Sequence, residues 1–155
     1  MTMAWTETDL THMREALARA KEADVRNEVP VGAVVTIDGD MIAAGHNRSV
    51  VDADPSGHAE IVALREACRI VANHRLSGAT IYVTLEPCAM CVGAIAQARI
   101  SRLVFGAYDP KAGAAGSAID LVGSRALNHR FEINGGVLAD ECGALLKEFF
   151  RARRD

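Results

Sequence analysis

The chain predicts an α/β protein, a three-layer α/β/α sandwich around one mixed sheet. Periodic segments follow one another as helix, hairpin, helix, strand, helix, strand, then strand and helix, an order that stacks helices on both faces of a sheet. The 155 residues suit one domain with a proper core, so residues 1–155 are read as a single unit. Half of the residues are apolar and 24% are charged, the balance of a folded globular chain. No internal repeat, linker or low-complexity tract breaks the pattern.

Each element has its own signal. Thr6 to about Arg26 reads as a helix, because Leu10, Met13, Leu17 and Ala20 recur at helical spacing behind acidic Glu7 and Asp9. Its role is packing. Val29 to Ile37 is an apolar, β-branched run, and Asp38-Gly39-Asp40 turns it into a second strand ending at His46-Asn47-Arg48. A polar loop, Ser49 to Gly57, leads to a helix from about His58 to Asn73, with Ile61, Leu64 and Cys68 on one face and His74 placed as a favourable charge at its end. Thr80 to Leu85 is a short buried strand, and a helix follows to about Ala98. Arg102 to Ala107 is another strand. Ile119 to Asn128 reads as an irregular connection, Phe131 to Leu138 as a last strand interrupted by Asn134-Gly135-Gly136, and the final helix starts near Asp140.

Two short motifs carry chemistry. Pro87-Cys88-Ala89-Met90-Cys91 offers two thiols three residues apart, which share a helix face. Pro87 suits a helix's first turn, and the positive end of the helix dipole there favours thiolates. A Cys-x-x-Cys alone fits a redox pair or half of a structural zinc site. His58-Ala59-Glu60 changes the reading. His58, Cys88 and Cys91 make three zinc ligands, and three-ligand zinc keeps a position for water, as in hydrolytic centres. Glu60 is then the carboxylate that moves protons. His58 and Glu60 serve one site only if His58 stands at the very start of its helix, so two helix N-termini should meet at the metal. Cys68 and Cys142 have no such neighbours and read as buried apolar residues.

Composition narrows the setting. Four cysteines, two of them assigned to metal, leave no disulfide framework and suit a reducing cytoplasm. No apolar run approaches membrane-spanning length, and the N-terminus does not have the layout of a secretory signal. The net charge of −3 and pI near 5.9 argue against a general nucleic-acid binder, although a local basic patch can still hold phosphate.

The motifs also carry a resemblance. His-x-Glu followed by Pro-Cys-x-x-Cys is the signature of the zinc deaminases. Asn47-Arg48, Asp54-Pro55, His58 to Ile61, Tyr82 to Cys88, Val104 to Ala107, Gly113 to Ser117, Asn128 to Arg130 and Leu138 to Cys142 extend it over nearly the whole chain. Together these segments resemble the bacterial tRNA-specific adenosine deaminases, the TadA type, within the zinc-dependent cytidine and deoxycytidylate deaminase superfamily. The zinc motif fits the whole superfamily; Gly113–Ser117 and Asn128–Arg130 narrow it to this branch.

The resemblance implies a cytidine-deaminase-like fold with a five-stranded sheet, one Zn2+ per subunit and a homodimer. It implies water attack at C6 of adenine in a tRNA anticodon stem-loop, that of the arginine tRNA with anticodon ACG, with Glu60 moving the protons. Asn47, which alone reads as a turn asparagine, becomes the residue that hydrogen-bonds the target base, and the Ala59 backbone helps to position it. Asp109, Lys111, Phe150, Arg151 and Arg154 match positions that touch the anticodon loop, whereas without the resemblance the C-terminal arginines read as cations at a helix C-terminus. Asn128 to Arg130 falls near the mouth of the site. Tyr108 stands where some relatives carry arginine, and an aromatic there can stack on a base. The chain stops at Asp155 where many relatives continue with a lysine-rich tail, which bears on the grip on RNA and not on the chemistry. Two other readings remain: a deaminase of a free base or nucleoside (guanine, cytosine or cytidine), and a non-catalytic zinc-stabilised RNA-binding module.

Overall fold

The computed structural model describes residues 5–154, the side chain of Arg154 excepted. Nine elements follow in order: α1 Glu7–Val25, β1 Gly32–Ile37, β2 Asp40–His46, α2 Ala59–Val71, β3 Ala79–Leu85, α3 Ala89–Gln97, β4 Arg102–Ala107, β5 Glu132–Asn134 and α4 Ala139–Arg154. The strands form one sheet in the order β2-β1-β3-β4-β5. β1 is antiparallel to both β2 and β3, while β3, β4 and β5 run parallel. The sheet is mixed and five-stranded, as expected.

Alternation along the strands builds two cores. Ala33, Val35, Ile81, Val83, Leu103 and Phe105 point to the face covered by α2 and α3, where Ala63, Leu64, Ala67 and Ile95 meet them. Val34, Tyr82 and Val104 point the other way, onto Met13, Ala16 and Leu17 of α1 and Cys142 of α4. A period of two in the strands and of about 3.6 in the helices therefore yields the three layers. α1 starts with a capping box, in which Thr6 Oγ1 accepts from Asp9 N at 3.2 Å and Thr6 N donates to Asp9 Oδ2 at 2.9 Å.

Asp9 also ties the layers together. It is 2% exposed, and Arg102 donates to both of its carboxylate oxygens at 2.7 and 2.9 Å. The Tyr82 hydroxyl donates to it at 2.7 Å. Burial pushes this carboxyl up, but the bonds from Arg102, Tyr82 and Thr6 outweigh it and bring it down to about 2. Because the folded value lies below the unfolded one, the contribution is complete above the ordinary aspartate range and is lost as pH falls towards 2. It amounts to about 2 kcal/mol. Replacing Asp9 by alanine removes the buried partner of Arg102, which keeps its contacts to Asn134 and Glu132, and is expected to cost about 2 kcal/mol in denaturant unfolding, with a flatter acid limb than the wild type; an unchanged midpoint would refute this.

Three local expectations are corrected. The last strand is regular over Glu132–Asn134 only; Gly136 adopts φ +91°, which breaks the ladder, and Gly136 N and Val137 N then donate to the Gly106 and Phe105 carbonyls of β4 outside it. α2 ends at Val71 with Ala72 in the left-handed conformation, so His74 lies past the helix and is not a charge on its last turn. Pro87 precedes Cys88, which is itself the N-cap of α3, so the proline stands just outside the helix.

Candidate active site

The site lies at the carboxyl ends of β3 and β4, where α2 and α3 begin. His58 and Cys88 are the N-caps of α2 and α3, both with extended backbone. Neither side chain caps its own helix, which leaves both free to turn towards a shared ligand. The expectation that two helix N-termini meet is met. Cys91, one turn into α3, is fully buried.

His58 Nδ1 lies 3.6 Å from Cys88 Sγ and 3.5 Å from Cys91 Sγ. All three ligand atoms lie within 4.8 Å of one another, the one group of this kind among the described residues. A tetrahedral zinc with bonds of about 2.3 Å to sulfur and about 2.0 Å to nitrogen spaces such donors about 3.5 Å apart. The donor set thus fits a zinc ion in spacing and in softness. The three groups share protons. Hydrogen bonds from Cys91 and His58 hold the Cys88 thiol down at about 3. The same contact with Cys88, reinforced by burial, pushes Cys91 up, and His58 is raised by Cys88. The lowered direction at Cys88 favours the thiolate that metal binding requires.

Glu60 is 4% exposed and lines the same cleft. Burial pushes its carboxyl up to about 7, with nearby His58 opposing the shift. A carboxyl in that range can take and return a proton near neutral pH.

The cleft holds about 220 Å³, room for one flat ring system, and Val29, Val31, Asn47, Leu85, Glu86, Asp109 and Ala112 complete its walls. Asn47 Oδ1 accepts from Ala59 N at 2.8 Å, which fixes the side chain and leaves its NH2 group to donate. The Ala59 N–H is thereby engaged with the side chain of Asn47. Glu28, a buried carboxylate with no part in the sequence reading, accepts from Val50 N and Val51 N at 3.1 and 2.8 Å and pins the loop before His58.

A second groove of about 580 Å³ opens into this cleft, sharing Val29, Leu85 and Asp109 with it. Tyr108, Lys111, Leu146, Lys147 and Phe150 line it. Phe150 and Tyr108 are exposed aromatics, 48% and 58% accessible, and Tyr108 is held edge-on to Phe105 at 5.1 Å. Lys147 was not anticipated. It stands three residues before Phe150 on α4, a spacing that could have revealed it.

Arg151 is about 100° around α4 from Phe150, lies on a neighbouring surface that meets the groove at Lys147, and donates to Glu148. Arg153, not among the expected contacts, stacks over Phe149 at 3.5 Å and donates to Asn27 at 2.9 Å, and it borders a hollow shared with Lys111, Lys147 and Phe150. The Arg154 side chain falls outside the described residues. His129 bonds the Ile100 carbonyl at 2.6 Å, near the amino end of β4, and Arg130 bonds the Val122 carbonyl. That places His129 at the opposite end of the sheet from the cleft, not at its mouth.

A three-layer mixed sheet, a His–Cys–Cys cluster at two helix starts and a buried carboxylate beside it define a hydrolytic deaminase. The chain belongs to the MafB19-like deaminase family, whose family model matches residues 7–154, and it stands among the tRNA-specific adenosine deaminases. It is 48% identical to the tRNA-specific adenosine deaminase of Haemophilus influenzae over 97% of this chain and 87% of that protein. Identity to the Bacillus subtilis protein of the same name is 45%, over 94% and 91%. A solved structure from work on A-to-I editing by tRNA:A34 deaminases at the wobble position superposes with a TM-score of 0.86 at 43% identity, covering 88% of this chain and 99% of that one.

Proposed function

We propose that this chain hydrolyses the wobble adenosine of a tRNA anticodon loop to inosine, releasing ammonia. The observation that carries the reading is a one-base cleft, ending at the His58–Cys88–Cys91 cluster and Glu60, that opens into a groove with exposed aromatics and lysines. The flat groove aromatics suit stacked bases, and the lysines suit phosphate.

His58, Cys88 and Cys91 hold a zinc ion, one per chain. When bound, it supplies Lewis-acid activation of a water molecule near neutral pH. Glu60 takes a proton from the attacking water and delivers it to ring N1 of adenine; it then takes the proton of the new C6 hydroxyl and gives it to the amine that departs from C6. One water enters, the C6–N bond breaks, and a carbonyl and ammonia result. Asn47, held by the Ala59 N–H, presents its NH2 group to an acceptor on the base. Asp109, Lys111 and Phe150 receive the unstacked anticodon loop. The arginine tRNA with anticodon ACG is the proposed substrate. Arg151 and Arg154 are proposed as further contacts to the same loop.

Two broader proposals accompany this. The chain acts as a homodimer, for which an apolar groove between α2 and α3, lined by Ile61, Leu64, Cys68 and Ala94, gives support. It works in the cytoplasm; among the described residues no helix is long and apolar enough to cross a membrane.

The test is inosine formation in an anticodon stem-loop with adenosine at the wobble position, using zinc-loaded protein. Conversion is expected at that adenosine and at no other. Turnover of free guanine, cytosine or cytidine with an untouched stem-loop would instead make this a nucleobase or nucleoside deaminase.

A further inference from the structure

The residue next to the cysteine motif holds the most heavily coordinated carboxylate in the cleft wall. Glu86 is 2% exposed, and four donors converge on it. Asp109 N donates to Oε1 at 3.0 Å, Ala115 N and Ser117 N donate to Oε2 at 3.0 and 3.1 Å, and the Ser117 hydroxyl donates to Oε1. The approach is so close that a Cβ on Gly113 would fall 2.5 Å from Oε2. The loop is also tied at its neighbours, with Ala114 N donating to Pro87 O at 2.8 Å and Glu86 N to Ala107 O at 2.9 Å. A buried charge with both oxygens filled costs little to keep and much to disturb. Among the described residues it makes no ion pair, so the loop itself is what it holds.

That loop carries the rim. Asp109 leaves the clamp through its backbone and turns its own carboxylate back, so that Oδ1 accepts from Lys111 N at 3.1 Å and Ala112 N at 3.2 Å. Asp109 lines both the cleft and the groove, and Lys111 lines the groove. We infer that Glu86 is a positioning residue for substrate recognition: its clamp on residues 109–117 sets Asp109 and Lys111 where an RNA loop enters the cleft. This rests on the RNA reading above and deepens it. The loop donors fill both Glu86 oxygens, so its loss should weaken binding and spare the chemical step.

Glu86→Gln tests this, because the amide keeps the shape and replaces one acceptor by a donor. At Oε2 both partners are backbone N–H groups that cannot reverse; at Oε1 the Ser117 hydroxyl can turn but Asp109 N cannot. The amide group is therefore expected at Oε1, releasing Asp109. With zinc-loaded enzyme and the anticodon stem-loop, KM should rise about tenfold while kcat stays within about threefold. Zinc content should be unchanged. Amide exchange at Asp109, Ala115 and Ser117 should accelerate while β3 and α3 stay protected. Unchanged KM and exchange, or loss of kcat and zinc with KM unmoved, would overturn the inference. Should Glu86→Gln not fold, Ser117→Ala removes a single donor and must shift KM and exchange in the same direction; no shift there overturns it equally. If the wild type converts no stem-loop, the RNA reading fails on its own, and the exchange comparison still decides whether the clamp exists.

Discussion

Glu60→Ala is expected to lower the rate of wobble deamination by about a thousandfold or more, at the upper part of the range for a proton-transfer residue. Glu60 moves the protons of the proposed reaction between the water, ring N1, the new C6 hydroxyl and the departing amine. Another carboxylate is on the cleft wall, that of Glu86, but its oxygens are filled by loop donors, so no substitute is at hand. Asp109 has one carboxylate oxygen committed to its own turn. The variant should keep its zinc, since His58, Cys88 and Cys91 are untouched, and should bind the stem-loop with near wild-type affinity. Glu60→Gln preserves volume in a site that is 4% exposed and should be as inactive as alanine, which separates proton transfer from packing. Retention of turnover within tenfold by either variant would sink this assignment, whereas loss of zinc would mean that Glu60 supports the metal. The same pair of measurements excludes the non-catalytic RNA-binding module: that protein would have no turnover to lose.

What was legible in the chain was what adjacency writes into it. Cys88 and Cys91 are one helical turn apart, and His58 is two residues from Glu60, so local spacing alone forced His58 to the start of its helix, where the structure has it. Strand periodicity gave the sheet, and the order of elements gave the layers. The strand and helix ends that were corrected turned on single backbone conformations, at Ala72 and Gly136, and what went unread depended on distance or on helix phase. Nothing near Asp9 announces Arg102, 93 residues away, and nothing near Glu86 announces Ser117. The C-terminal arginines looked like one basic edge in sequence, but successive residues on α4 point about 100° apart. Phe150 therefore faces the groove, Arg151 pairs with Glu148, and Arg153 folds over Phe149. Lys147 entered the groove unannounced for the same geometric reason. The family resemblance supplied contacts residue by residue, and it could not say which of them this chain had already committed to its own fold.

Removing a single cysteine from the cluster should cost both metal and stability. Cys91→Ser is expected to bring zinc, measured by atomic emission on purified protein, from one ion per chain to background, and to abolish deamination. Cys91 is the ligand to choose, because it is fully buried and its thiol already contacts both Cys88 and His58. A serine hydroxyl there stays protonated at neutral pH and is a poor partner for zinc. The loss should also appear in unfolding. A ligand about a thousandfold above its Kd stabilises the folded state by about 4 kcal/mol. For a chain of this length that is about 10 °C in Tm, and a chelator added to the wild type should reproduce the drop. The control is Cys68→Ala, a thiol in the apolar α2–α3 groove and outside the cluster; it should keep zinc and activity. Two results discriminate further. Full zinc in Cys91→Ser would show that another group, with Glu60 the nearest candidate, completes the ligand set. Loss of zinc without a change in Tm would show that the two helix starts hold their positions through packing, with Ala59, Ala63 and Ile95 buried against the sheet, and that the metal serves chemistry alone.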